Sequence, residues 1–211
     1  MLVQFASLLA LAASASALAL PALVQEGNSL GYLKCTSEGK VIGYVARGLN
    51  SLGEYKGVSP DDDTADVSHR MLVSLNQSTS EAQSLLVKNG PDNDYPFLGG
   101  IGGEDGSILG VNSGDYLHVG GTRSTAPGAI PSYCGNTYTD RTNELRKCAS
   151  VIWTYNATTS AVTPQWINDD GTAITAYMGF VDEAFLLTGS MKAFEDTWDA
   201  SVEWVTLTLD T

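Results

Sequence analysis

Apolar and polar residues alternate in three short stretches of the chain. An apolar residue at every second position predicts a strand that buries one face and exposes the other. Short apolar runs separated by Gly, Asn and Asp continue between these stretches, and only Met191 to Trp198 has a helical pattern. The sequence therefore predicts an all-β fold, whose clearest strands carry Met71-Val73-Leu75, Val151-Trp153-Tyr155 and Val205-Leu207-Leu209.

Two of these strands end in similar turns, which indicates an internal repeat. The turn Asn76 to Ser80 recurs 80 residues later as Asn156 to Ser160. The same offset aligns Val87 with Ile167, Leu98 with Met178 and Gly99 with Gly179. The third strand of a further copy lies at Val205 to Leu209, and Leu23-Val24 is expected to supply its fourth strand. We expect one domain, residues 20–211, with pseudo-repeats at about 31–94, 95–174 and 175–211 plus 20–30.

The first residues indicate export. The stretch from Leu2 to Ala13 is almost uninterrupted in its apolar character, and an A-x-A series follows it. This pattern predicts a signal peptide at residues 1–19 and a secreted, extracellular protein. The formal net charge of -13 would repel nucleic acid and anionic membranes. We expect neither of these as a partner.

Cysteines and sequons are interpreted in the same extracellular context. One disulfide can form among the three cysteines, and Cys134 with Cys148 is the pair nearest in sequence. Cys35 lies in an apolar stretch, where we expect it to pack as a small hydrophobic residue. Asn76 and Asn156 each begin a sequon without Pro, which predicts N-glycosylation on surface turns.

Three four-stranded units, with the last completed by the opposite terminus, resemble the β-trefoil. An antiparallel β-sandwich with a duplicated hairpin is the alternative. Segments such as Trp153-Thr154-Tyr155-Asn156 and Gln165 to Gly171 are similar to secreted fungal proteins of unknown function. The repeat also aligns Trp153 with Val73 and Leu207, and Trp166 with Leu86, so we interpret both tryptophans as core residues.

Residues that could support catalysis are scarce. His69 and His118 are the only histidines, and neither lies in a nucleophile motif. No spacing typical of a metal site is present, so we expect no metal and no cofactor. These observations favour a non-catalytic protein. The carboxylate pairs Glu104-Asp105 and Asp182-Glu183 leave a secreted glycoside hydrolase open as an alternative.

The resemblance to trefoils implies a lectin-like protein that binds an extracellular glycan or a cell-wall polysaccharide. Such a site needs an aromatic face and polar groups that orient hydroxyls. Two equivalent turns offer both, and the candidate ligand-binding residues are Asn168, Asp169, Asp170 and Tyr177, with Asp92, Asp94 and Tyr95. The long variable loop Gly121 to Ala149 suggests a second hypothesis, in which the protein is a protease inhibitor and its partner a protease.

Overall fold

The computed structural model describes residues 28–61, 66–104 and 106–211. The signal peptide predicted at residues 1–19 and the strand predicted at Leu23-Val24 lie outside these described residues. Within them, strands dominate and helices are few, which confirms the all-β prediction.

Strands and helices are numbered in chain order. The strands are β1 (Asn28–Ser37), β2 (Lys40–Val45), β3 (Val58–Ser59), β4 (Leu72–Asn76), β5 (Gln83–Val87), β6 (Phe97–Gly102), β7 (Tyr116–Thr122), β8 (Cys148–Ala149), β9 (Val151–Asn156), β10 (Ala161–Ile167), β11 (Ala173–Thr175), β12 (Tyr177–Val181), β13 (Ala184–Thr188) and β14 (Glu203–Asp210). The α-helices are α1 (Thr137–Thr142) and α2 (Met191–Trp198), and Val67–His69 forms a 3-10 helix. The predicted helix is therefore confirmed as α2, whereas the pattern of the sequence does not indicate α1.

The strands form a closed antiparallel barrel. Eight of them pair in the circuit β1-β4-β5-β6-β7-β13-β12-β14 and back to β1. β9 and β10 connect β5 to β14, which closes a second circuit of six strands: β1, β4, β5, β9, β10 and β14. Closure pairs the backbone of these strands and leaves none of them as an exposed edge.

β1 joins the two ends of the barrel sequence. Its first half, Asn28 to Tyr32, pairs with β4, and its second half, Tyr32 to Thr36, pairs with β14. By its pairings β1 corresponds to β5 and β10. The first and last described strands, β1 and β14, therefore pair directly.

The core lies inside the barrel and is built from alternate strand positions. Trp153, Val73 and Leu207 are fully or almost fully buried, which confirms that these aligned residues pack in the core. Trp166 is also buried, and its indole Nε1 donates to the carbonyl of Ser107 at 2.8 Å. Both predicted core tryptophans are therefore structural.

The alignment with an offset of 80 loses register in the strand after the sequon turn and regains it at β6 and β12, which begin 80 residues apart at Phe97 and Tyr177. Val73 faces Val87 in the first hairpin, whereas Trp153 faces Pro164 in the second, so the second hairpin is shorter. Val87 therefore corresponds to Pro164 and not to Ile167. The slip also explains why Leu86 is only half-buried although the alignment matches it with buried Trp166.

The described part of the chain contains no helix that is long and apolar enough to cross a membrane.

The pairing of β1 with β14 yields a stability prediction. Leu207 faces Cys35 across this pairing, and both are buried. We expect Leu207→Ala to lower the free energy of unfolding by about 2–5 kcal/mol, because it removes apolar contacts and leaves a cavity. Urea denaturation would measure the loss. The neighbouring exposed Thr206→Ala is the control and should cost less than about 1 kcal/mol; equal losses for both would contradict a buried seam.

Candidate functional site

The loop between β7 and β9 is fixed by a disulfide. Cys134 and Cys148 are bonded, as the sequence predicts, with their Cα atoms 5.6 Å apart. Beside the disulfide, the amide of Cys148 donates to the carbonyl of Ser132 at 2.8 Å. Within the loop, the side chain of Asn136 caps α1 by accepting from the amide of Thr139 at 2.8 Å. The loop is therefore an ordered part of the protein surface.

Tyr133 lies between the disulfide and the hydrogen bond that joins Cys148 to Ser132. It lies between Ser132 and Cys134, both of which are tied to Cys148, yet its side chain is 70% exposed. A large aromatic ring on a fixed backbone loses little conformational freedom when it contacts a ligand. Tyr133 is the strongest candidate for an aromatic binding surface in this loop.

Tyr133 lines a cleft of about 300 Å³, which we call the Asp169 cleft. The turn after β10 contributes Asp169 to this cleft, and the other charged or hydroxyl residues that line it are Glu104, Ser107, Arg146 and Lys147. The Nζ atom of Lys147 lies 2.6 Å from Oδ2 of Asp169, and both side chains are partly exposed. A donor and an acceptor therefore stand side by side at the surface of the cleft.

Hydrogen bonds from polar side chains join the walls of the cleft to one another. Asn168 is buried; its amide group donates to the carbonyl of Leu109, and its side-chain oxygen accepts from the amide of Leu109, at 2.8 and 2.9 Å. The guanidinium of Arg146 donates to the carbonyl of Gly103 at 2.7 Å. These bonds fix three chain segments relative to one another, which preorganises the cleft.

The structure separates the candidate residues in and after the turn that follows β10. Asp169 lines the cleft, whereas Asn168 is used for the buried contact with Leu109. Asp170 accepts from the amide of Thr172 in the turn, and hydrogen bonds from Thr172 hold the pKa of its carboxyl below the ordinary value. Tyr177 lines a different depression, so it does not provide the aromatic face for Asp169.

The other three candidates, Asp92, Asp94 and Tyr95, lie in the turn before β6. Asp92 accepts from the amide of Asp94 at 2.9 Å, and the hydroxyl of Tyr95 lies 3.4 Å from Oδ1 of Asp140. The guanidinium of Arg123 sits 5.7 Å from the centre of the Tyr95 ring. These contacts link the turn to the disulfide loop, and ligand binding by the three residues stays a prediction.

The two sequon turns face a common surface depression. Residues from both, including Gln77, Ser78, Asn156 and Ala157, line a space of about 610 Å³. Each sequon asparagine uses its side-chain oxygen to accept from a backbone amide two residues later, at 2.8 Å for Asn76 and 2.9 Å for Asn156. N-glycosylation at both turns stays a prediction.

A buried pair of titratable groups lies behind the disulfide loop. The Nδ1 atom of His118 on β7 lies 2.5 Å from Oε1 of Glu54, and both side chains are buried. The ring of Tyr138 on α1 stacks on His118 at 4.4 Å between centroids. Burial raises the pKa of Glu54, but hydrogen bonds from His118 and Asn50 outweigh it, and the pKa lies below its ordinary value of 4.5.

Sequence reasoning overlooks Tyr133 and the Glu54–His118 pair. The contact of Tyr133 with the cleft depends on the disulfide and on a turn far away in sequence. Glu54 and His118 are likewise distant in sequence, and the pattern around His118 indicates only an ordinary surface or core histidine. His69 lies in the exposed 3-10 helix. No group of three or more His, Cys, Asp or Glu side chains suited to a metal ion occurs among residues 28–61, 66–104 and 106–211.

Comparisons with protein-family models, with curated proteins and with solved structures gave no significant match.

The Glu54 carboxyl should make the free energy of unfolding depend on pH in the acidic range. Because its native pKa lies below 4.5, the stability it contributes is present above that pH and is lost as the pH falls through the native pKa. At neutral pH we expect Glu54→Gln to cost about 1.5–3 kcal/mol of unfolding free energy, since a bond to a charged group is lost. Urea denaturation should show this difference shrinking well below pH 4.5; a constant difference would contradict the assignment. Glu81→Gln, at an exposed site, is the control.

The free thiol should be unreactive in the folded protein. Cys35 is fully buried, and burial raises its pKa to about 12, so little thiolate exists at neutral pH. Without reductant, we expect a maleimide reagent to leave the native protein unmodified and to add once after unfolding in urea, as measured by intact mass. Rapid labelling of the native protein, or more than one addition after unfolding, would contradict this arrangement.

Proposed function

We propose that this protein is a secreted, non-catalytic, lectin-like protein that binds carbohydrate in the Asp169 cleft. The observation that carries the proposal is the position of exposed Tyr133 beside the Lys147–Asp169 pair in one preorganised cleft. The Cys134–Cys148 disulfide supports an extracellular location, because disulfides persist in oxidising compartments.

The chemistry of the cleft suits a sugar. An aromatic ring can cover the apolar face of a pyranose, and the ring of Tyr133 is free to do so. Lys147 can donate to one hydroxyl while Asp169 accepts from its neighbour, since the two charged groups are only 2.6 Å apart. An exposed ion pair contributes only about 0–1 kcal/mol to stability, so a ligand can share these groups at small cost to the fold.

The charges in the cleft favour a neutral glycan. Arg146 and Lys147 are offset by Glu104 and Asp169, although the chain as a whole is strongly acidic. A strongly anionic polysaccharide would meet the net charge of -13 outside the cleft and be repelled. The expected ligand class is therefore a neutral extracellular or cell-wall polysaccharide with vicinal hydroxyls.

The strand pairings support a β-trefoil arrangement for the binding scaffold. A trefoil needs a ring of six strands and three hairpins that meet at one end. The six-stranded circuit and the hairpins β2–β3, β6–β7 and β12–β13 fit this requirement. Near the meeting point, the amide of Tyr55 donates to the carbonyl of Val119 and its carbonyl accepts from the amide of Phe185. These bonds bring chain segments from the three predicted repeats together.

A protease inhibitor is the second candidate, for one specific reason. Ala126 to Ala129 form an exposed turn with Gly128 at φ 70°, and Thr125 fixes its start through hydrogen bonds with Ser150. An exposed turn held on a disulfide loop could enter a protease cleft. Inhibition of a serine or cysteine protease that is lost on disulfide reduction, together with absent glycan binding, would favour this function.

A glycan array of soluble fungal and plant cell-wall polysaccharides, followed by calorimetry on the best ligand, tests the proposal. We expect Tyr133→Ala and Asp169→Ala each to weaken binding at least about tenfold, equivalent to about 1.4 kcal/mol. The first removes the aromatic surface and the second the acceptor. Assays for new reducing ends should remain negative.

Two matched controls separate this site from general effects. Tyr177→Ala removes another exposed tyrosine, and Asp196→Ala breaks an exposed Lys–Asp pair of the same 2.6 Å length on α2. Neither should change affinity for the glycan. Equal weakening by the cleft variants and their controls would remove the Asp169 cleft as the binding site, and steady release of reducing ends would indicate a glycoside hydrolase instead.

A further inference from the structure

A second depression lies on the opposite side of β10 and β14 from the core. We call it the Tyr177 groove; it encloses about 500 Å³, and the residues that form it include Thr36, Glu38, Thr163, Tyr177, Met191 and Trp204. None of these six residues lines the Asp169 cleft. A space of this size is sufficient for a small organic molecule.

Two aromatic rings and a thioether give the groove its apolar character. Tyr177 is 49% exposed and Met191 is 37% exposed, although both are apolar or mostly apolar side chains. The ring of Trp204 is fixed because its Nε1 donates to Oε1 of Glu195 on α2 at 2.8 Å. The groove therefore presents apolar surface, including a positioned indole, at the protein exterior.

The charge around these rings has one sign. Glu38, at the turn between β1 and β2, is the charged residue in the lining, and no Lys, Arg or His accompanies it among the lining residues that the structure describes. The carboxylate of Glu195 lies at the Nε1 edge of the Trp204 indole. The net charge of -13 adds a long-range attraction for cations.

We propose that the Tyr177 groove binds a small amphipathic organic cation, with an ammonium head and an apolar body. Aromatic faces attract cations through their quadrupole, and quaternary ammonium groups are commonly recognised in this way. Glu38 supplies the complementary charge, while Met191 can adapt its flexible side chain to the apolar body. Because no Lys, Arg or His stands among the described lining residues, no protein cation inside the groove competes with the ammonium group for Glu38.

Benzyltrimethylammonium and its neutral isostere neopentylbenzene, in which carbon replaces nitrogen, provide a direct test. Titrations followed by NMR at the Met191 methyl group and the Trp204 indole should saturate, and the cation should bind about tenfold more tightly. We expect Tyr177→Ala to weaken cation binding about tenfold and Glu38→Gln about fivefold, from the size of cation–π and ion-pair contributions.

The controls use the same residue types elsewhere on the surface. Tyr133→Ala and Glu203→Gln should leave cation binding unchanged, since neither residue lines the groove. Equal affinities for the cation and its isostere, or unchanged affinity in Tyr177→Ala, would overturn the proposal. Because Tyr133→Ala affects only the glycan and Tyr177→Ala only the cation, failure at one site is distinguishable from failure at the other.

Discussion

The pairing of β1 with β14 is the contact on which the barrel depends. β1 also pairs with β4, so one strand joins the start of the described chain to its last strand. Without this pairing, β1 and β14 would each expose unpaired backbone donors and acceptors. Closure instead buries Leu33, Cys35, Leu207 and Leu209 in the common core.

Because the barrel is closed, the segments on its surface can form binding sites without contributing to the fold. The Asp169 cleft is formed by the disulfide loop, the segment after β6 and the turn after β10, which hydrogen bonds join to one another and to Trp166 of β10. The Tyr177 groove is instead lined by residues of β10, β12 and β14. The two proposed sites thus use different segments and different side chains.

Local patterns are sufficient to predict much of the fold. Alternation identifies the strands around Val73, Trp153 and Leu207, and the aligned positions correctly assign Trp153 and Trp166 to the core. Proximity in sequence is enough for the disulfide. The predicted register is wrong in the strand after the sequon turn, because the second hairpin is shorter and periodicity alone carries no information about that difference.

The candidate site is harder to predict from the sequence than the fold, because its residues come together only in the folded barrel. The sequence proposes Asp169 as a candidate, but pairing it with Tyr177 assumes that neighbours along the chain share a surface. The aromatic residue that lines the same cleft as Asp169 is Tyr133, which belongs to the disulfide loop. The sequence shows which residues are carboxylates and which are aromatic. Which of them line the same cleft is decided by the tertiary structure.

Cross-strand nuclear Overhauser effects between β1 and β14 test the closure most directly. In the folded protein, backbone protons of Leu33 should show contacts with those of Leu209, and those of Cys35 with Leu207, because these residues face each other in the antiparallel register. A complete backbone assignment that lacks these contacts while retaining those between β1 and β4 would contradict the closed barrel.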